Sequence, residues 1–220
     1  GAVDPVVRER LQNEFLKLQS QVRKTVLFVT HDIEEAVRLG DRIAVYGQGS
    51  IEQFDAPAAV LGAPATDYVA DFVGADRGLK RLSVTPIEES DLEQPPVVHL
   101  DDPLPADIAR WAVVLDSDDN LHGWISGEQA RLGTGTVREH ARRMEAWLPV
   151  GASLKQAFAT MLQHDAGWIA VIDREERGRF LGVLTPARLH EALRRSIDAD
   201  ANAVPRTEVR VESVESVSQR

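Results

Sequence analysis

The sequence predicts an α/β chain in which part of a parallel sheet is followed by a repeated strand, turn, strand and helix unit. Three observations predict it. Thr25-Val26-Leu27-Phe28-Val29 is a short, continuous apolar run rich in β-branched residues, the pattern of a strand buried on both faces. Trp111-Ala112-Val113-Val114-Leu115-Asp116, a turn at Ser117 to Asn120, and Leu121-His122-Gly123-Trp124-Ile125-Ser126 recur as Trp168-Ile169-Ala170-Val171-Ile172-Asp173, a turn, and Phe180-Leu181-Gly182-Val183-Leu184-Thr185. Between the two regions Pro86, Pro95, Pro96, Pro103 and Pro105 argue against long helices.

Asp4 followed by Pro5 predicts a helix start, an acceptor at the cap and a proline where no N–H is missed. Val7, Leu11, Phe15, Leu18 and Val22 then recur every three or four residues, the spacing of one buried face. After the apolar strand, Asp32 with Glu35 three residues on reads as a capping box opening a helix from Ile33 to Leu39, which Gly40 would end in a left-handed cap. His31 falls where the strand ends, the side of an open parallel sheet on which ligands bind, although a histidine there can equally serve only to hydrogen-bond the cap. Ile43 to Tyr46 and Ser50 to Phe54, joined through Gly47-Gln48-Gly49, read as a hairpin. Pro57 opens a helical stretch, Tyr68 to Val73 forms another, and Gly74 stops it.

Val97 to Leu100 is the one strand-like run of the proline-rich and acidic stretch Ser83 to Asp107. In the second repeat Ser153 is a plausible cap for a helix whose Leu154, Ala157, Phe158, Met161 and Leu162 line one face, and Leu189, Ala192 and Leu193 give the closing helix a similar face. The first repeat lacks an equally long opening helix. From Ile197 onward the chain turns polar and charged, which predicts a mostly disordered tail.

Composition narrows the function classes. A formal net charge of −10 argues against a nucleic-acid partner, and the basic clusters Arg77, Lys80, Arg81 and Arg138, Arg142, Arg143 read as solvated helix faces open at most to a small anion. There is no cysteine, hence no disulfide or thiolate site. The six histidines are scattered, without i, i+4 spacing, so no metal site is expected. No run approaches a membrane span and the first residues do not read as a signal peptide, so the default expectation is a soluble cytoplasmic protein.

Gly1-Ala2-Val3-Asp4-Pro5, Val29-Thr30-His31-Asp32 and the segment from Ala44 to Pro57 together resemble the last third of an ABC-transporter ATPase domain. The resemblance implies that the first group is the D-loop, with Asp4 coupling two nucleotide sites across a dimer, and that His31 is the switch that touches the γ-phosphate of ATP. The phosphate-cradling G-x-x-x-x-G-K-[ST] loop, the family's LSGGQ-type signature, its glutamine loop and the Asp-Glu pair before the D-loop are absent from the sequence. The chain therefore reads as a carboxy-terminal piece of such an ATPase with an incomplete sheet, inactive alone, since charge neutralisation, magnesium ligands and a group to position water are missing. Its first 75 or so residues are expected to be loosely held, rearranged, or paired with another copy.

Gly74 to Leu82 narrows the resemblance to ATPase subunits of quaternary-amine importers, the glycine betaine, choline, carnitine and proline class, where a CBS tail follows. The repeat is similar to a CBS-motif pair, an α+β module. The implied organisation is residues 1–78 as the ATPase portion, 79–130 as a short first CBS motif, 131–197 as a second, and 198–220 as the tail. In the CBS family a Ser or Thr meets phosphate and an Asp three residues later meets ribose. Ser126 and Thr185 match the first position, but Gln129 and Arg188 stand where the acid would be. Arg188 would favour an anion. Thus the resemblance implies MgATP in a complete subunit, a possible regulatory nucleotide at the CBS pair, a second copy as partner, and a membrane permease and solute-binding protein. The location would be the inner face of the membrane through that permease. The alternative is a non-enzymatic CBS sensor or dimerisation module that binds a nucleotide or responds to ionic strength.

Overall fold

The computed structural model describes residues 4–22, 24–47, 49–175 and 178–202. They form two compact units, one running to Arg77 and the other Gly78–Ile197. Among the described residues no helix is long and apolar enough to cross a membrane.

In the first unit the Asp4 carboxylate caps helix α1 (Pro5–Val22), accepting from the N–H of Val6 at 2.9 Å and of Val7 at 3.4 Å. The expected buried face is not buried. Val7, Leu11, Leu18 and Val22 are exposed, and the half-buried Phe15 meets Phe28, with ring centroids 6.3 Å apart. Residues 24–30 run without regular structure, and Leu27 and Val29 are 90% and 85% exposed, so the predicted buried strand is corrected here. The reason is physical: a strand apolar on both faces becomes one only when neighbours pair with it and layers cover it. Among the described residues of this unit, the one sheet is the hairpin of β1 (Ile43–Gly47) and β2 (Ser50–Asp55), with a bulge at Val45/Tyr46.

Helix α2 (Ile33–Leu39) starts as predicted at Asp32, whose carboxylate accepts from the N–H of Glu34 and Glu35. The reciprocal half of the capping box is missing, because the Glu35 carboxylate accepts from Thr30 Oγ1 at 2.9 Å and from Gln12 at 3.2 Å instead. Gly40 ends the helix at φ −95°, not in the left-handed region expected of it. Helices α3 (Pro57–Gly62) and α4 (Asp67–Val73) supply the buried Val60, Leu61, Val69 and Val73, and Gly74, at φ +84°, ends α4 where a side chain would strain the turn.

The second unit begins in helix α5 (Arg77–Leu82) and holds two sheets of the same design. In one, β3 (Val97–His99) runs parallel to β4 (Trp111–Leu115), which pairs antiparallel with β5 (Leu121–Ser126) before helix α6 (Gly127–Leu132); β6 (Arg142–Arg143) adds to the far edge. In the other, β7 (Trp147–Pro149) runs parallel to β8 (Ile169–Ile172), which pairs with β9 (Phe180–Leu184) before helix α8 (Pro186–Asn202). The crossover from β7 to β8 contains helix α7 (Leu154–Gln163), capped by Ser153, whereas the β3 to β4 crossover has no helix. On α7, Leu154, Ala157 and Met161 are buried, while Phe158 and Leu162 of the predicted apolar face are 48% and 67% exposed. Helix α8 continues to Asn202, past the Ile197 at which a disordered tail was expected; residues 203–220 lie outside the described residues.

The repeats meet about a local two-fold. Leu121 N–H donates to Gly178 O and Phe180 N–H donates to Asp119 O, each at 3.1 Å. The indoles of Trp111 and Trp168, equivalent in the repeat, stack with centroids 4.1 Å apart, beside Val113, Leu115 and Val183. Each repeat is completed by chain that precedes the other. Ile87 and Leu92 lie in one core with Leu154, Met161 and Leu184 of the second repeat, and Val137 lies in another with Leu100, Ile108 and Ile125 of the first.

Two side chains tie helix ends. Arg81, read from sequence as part of a solvated face, is only 1% exposed, and its guanidinium donates to the hydroxyl and the carbonyl of Ser196. Arg195 chelates the Asp91 carboxylate at 2.9 Å and also reaches Glu88 at 2.8 Å.

In the β4–β5 turn the backbone N–H of Asn120 is the largest influence holding the Asp116 carboxyl below its ordinary value of 3.8; desolvation opposes it, and the N–H of Asp118 and the Asn120 amide add to it. A depressed folded pKa means stabilisation that is present above 3.8 and lost as pH falls through the folded value. Asp116→Ala is therefore expected to lower the thermal midpoint at neutral pH. The gap to the unmodified chain should close in strong acid, and melts recorded across that range read it.

Candidate functional site

In the first unit, Asp4 sits at the exposed start of α1 and spends its carboxylate on the two N–H groups of that helix. Gly1, Ala2 and Val3 of the expected D-loop lie outside the described residues. His31 is exposed at the bend before α2 and lines an open groove of roughly 470 Å³ together with Thr30, Asp32, Arg8 and Phe15. The Asp32 cap fixes the backbone just after His31, since Thr30 Oγ1 accepts from Asp32 N–H at 3.0 Å while donating to Glu35. The backbone on both sides of His31 is thus fixed by neighbours in the chain, and the residue itself is exposed. Asp4 and His31 belong to one unit, and each stands at the N-terminal end of a helix.

The second unit holds two repeat-related candidate clefts, each placed where the last strand passes into the closing helix. In the first, Ser126 caps α6, accepting from the Gln129 N–H at 3.2 Å. With its amide turned to satisfy both neighbours, Gln129 donates to Ser126 Oγ at 3.0 Å and accepts from Arg142 Nε at 3.2 Å. The Arg142 guanidinium lies over the Trp124 ring, 5.4 Å from its centroid.

In the second cleft Thr185 Oγ1 accepts from the Arg188 N–H at 3.3 Å and donates to Glu93 Oε1 at 3.1 Å. Arg188 Nε lies 3.4 Å from the same Glu93 oxygen, and its Nη1 reaches Glu191 at 2.8 Å. Glu93 is placed by a bridge to Val183, with both N–H···O bonds at 2.9 Å, and by Gln94, whose amide donates to Leu181 O. Both clefts thus bring together the predicted residues, and in each the predicted hydroxyl serves as helix cap.

The CBS domain family matches residues 137–195. The chain is 34% identical over 197 residues to the osmoprotectant import ATP-binding protein OsmV of Salmonella typhimurium, an alignment covering 84% of this chain and 50% of that protein. It is 33% identical over 208 residues to the carnitine transport ATP-binding protein OpuCA of Listeria monocytogenes, covering 90% of this chain and 52% of that one. The homologues of this chain are ATP-binding subunits of quaternary-amine importers.

The chain spans about half the length of these importer relatives. Among solved structures, Staphylococcus aureus OpuCA aligns over 49% of this chain and 98% of its own, at 17% identity and a TM-score of 0.41. Two residues beside these candidates were not assigned to the site from sequence, Arg142 having been read as part of a solvated basic face. Arg142 pairs with Trp124 across β5 and β6, and Glu93 pairs with Val183 at the equivalent place of the second repeat. The signal that could have found them is the repeat itself: Gly123 and Gly182 are equivalent, and a glycine inside a strand marks close backbone approach.

Proposed function

We propose that this chain supplies the switch histidine and the CBS module of an importer's ATP-binding subunit, which binds MgATP between two copies and drives uptake of a glycine betaine-like osmoprotectant. The observation that carries this reading is the alignment with osmoprotectant and carnitine ATP-binding proteins, which extends over 84–90% of the chain and so through both units. His31 would donate to the γ-phosphate from its exposed bend, and Asp4 would join the facing site at the start of α1. Residues 1–78 would make the ATPase portion, 79–130 and 131–197 the two CBS motifs, each completed by a segment counted with the other, and 198–220, of which helix α8 takes the first five residues, a tail. A permease and a solute-binding protein are the partners, and the permease holds the subunit at the inner face of the membrane. Ser126, Thr185 and Arg188 line the clefts in which a regulatory nucleotide would act.

His31→Ala in the complete subunit tests the reading. Losing one donor to the charge that develops on the transferred phosphate costs roughly 100-fold in turnover. Osmoprotectant uptake and ATP hydrolysis are expected to fall together by that order, with subunit abundance unchanged. Uptake within a factor of two of the unmodified transporter would overturn the role given to His31.

A further inference from the structure

The two clefts are built alike and charged differently. Where the first presents Arg142 to Gln129, which in turn holds Ser126, the second presents Glu93 to Thr185 and Arg188. Glu93 reaches that position because Gly182 lets its backbone come close: a Cβ on Gly182 would lie 3.0 Å from Glu93 O and 2.9 Å from the Leu92 Cβ. Its carboxylate then accepts a hydrogen bond from the Thr185 hydroxyl and faces the Arg188 guanidinium, a hydroxyl and a cation of the kind that a phosphate oxygen requires.

We propose that Glu93 is a built-in occupant of the second cleft, an internal anion that holds Thr185 and Arg188 and keeps phosphate-bearing ligands out until it is withdrawn. The inference rests on the reading that these clefts take nucleotides, and it adds how one of them is regulated. Withdrawal is a rotation of the Glu93 side chain, because its backbone stays paired with Val183 and its neighbours are tied down, Asp91 by Arg195 and Gln94 by Leu181 O. Glu191 remains on Arg188 when Glu93 leaves, so the freed guanidinium keeps one acidic neighbour. The first cleft, with Arg142 in the equivalent place, has no such occupant among the described residues.

The test uses the 220-residue chain, pyrophosphate as probe, and AMP and ATP alongside it. Glu93→Gln keeps size and backbone pairing and removes the charge; Glu93→Ala removes the group and serves if the amide re-forms the contact. Either is expected to bind pyrophosphate at least tenfold tighter than the unmodified chain, and adding Arg188→Gln should abolish the gain. Titration calorimetry reads the affinity, and tryptophan emission checks that the Trp111–Trp168 stack is intact. Equal pyrophosphate affinity in all folded variants, or a gain that survives Arg188→Gln, overturns the proposal. AMP and ATP report separately on the underlying reading: if pyrophosphate gains and neither nucleotide does, Glu93 is an occupant of an anion pocket and the nucleotide assignment fails.

Discussion

Arg195→Met is expected to destabilise the second unit by about 3–5 kcal/mol, the cost of leaving a buried carboxylate without its cation. Asp91 is 5% exposed, and three of its contacts come from Arg195: Nε at 3.2 Å, and Nη2 to each carboxylate oxygen at 2.9 Å. The N–H of Glu88 also donates to that carboxylate, at 2.9 Å, and a single neutral donor does not replace a guanidinium. Met keeps the aliphatic stem, so lost packing contributes little. Desolvation disfavours the Arg195 cation, and the hydrogen bonds to Asp91 and Glu88 overcome it, so its pKa ends above the ordinary arginine value. Asp91→Asn with Arg195→Met should recover most of the loss, because an amide tolerates burial far better than an unpaired carboxylate. Denaturant midpoints of the four proteins measure it. Additive losses in the double variant would mean that the two side chains act independently.

What was legible in the sequence follows from how local each signal is. Asp4, Asp32 and Ser153 all cap helices, because a cap needs only two or three following N–H groups. The repeat was legible since both copies carry their own strand, turn and strand. The buried strand at Val26 to Val29 was misread, because burial on two faces is a property of neighbours and the unit holds none that pair with it among the described residues. Arg81 was misread for the same reason, since Ser196 lies 115 positions away in sequence. Of the candidate site, Ser126, Thr185 and Arg188 fall in the clefts because each follows a strand of the repeat. Glu93 was missed, and Arg142 was read as part of a solvated face, because segments from before each repeat complete the other one, a crossing that no local pattern announces.

That crossing has its tightest point at Gly123. The β6 strand reaches β5 so closely there that a Cβ on Gly123 would overlap the carbonyl oxygen of Arg142 and lie 2.9 Å from its carbonyl carbon. The obstacle is backbone and cannot rotate away, so Gly123→Ala must push β6 off the sheet, at a cost of about 3 kcal/mol or more. The displaced segment carries Arg142, which faces Gln129 and Trp124, and it follows Val137, which is fully buried in the first repeat's core. Lower stability and a disturbed first cleft should therefore appear together, as a fallen thermal midpoint and a changed Trp124 environment. Gly151→Ala is the control for glycine replacement itself. It sits at φ +82° with nothing within 4 Å of its would-be Cβ, so its cost is backbone strain alone, about 1–2 kcal/mol. If both variants lost stability equally, strain would explain the first as well, and the close approach of β6 would carry no weight. A loss at Gly123 well beyond that at Gly151 would locate the seam by which the first repeat is closed from the segment that opens the second.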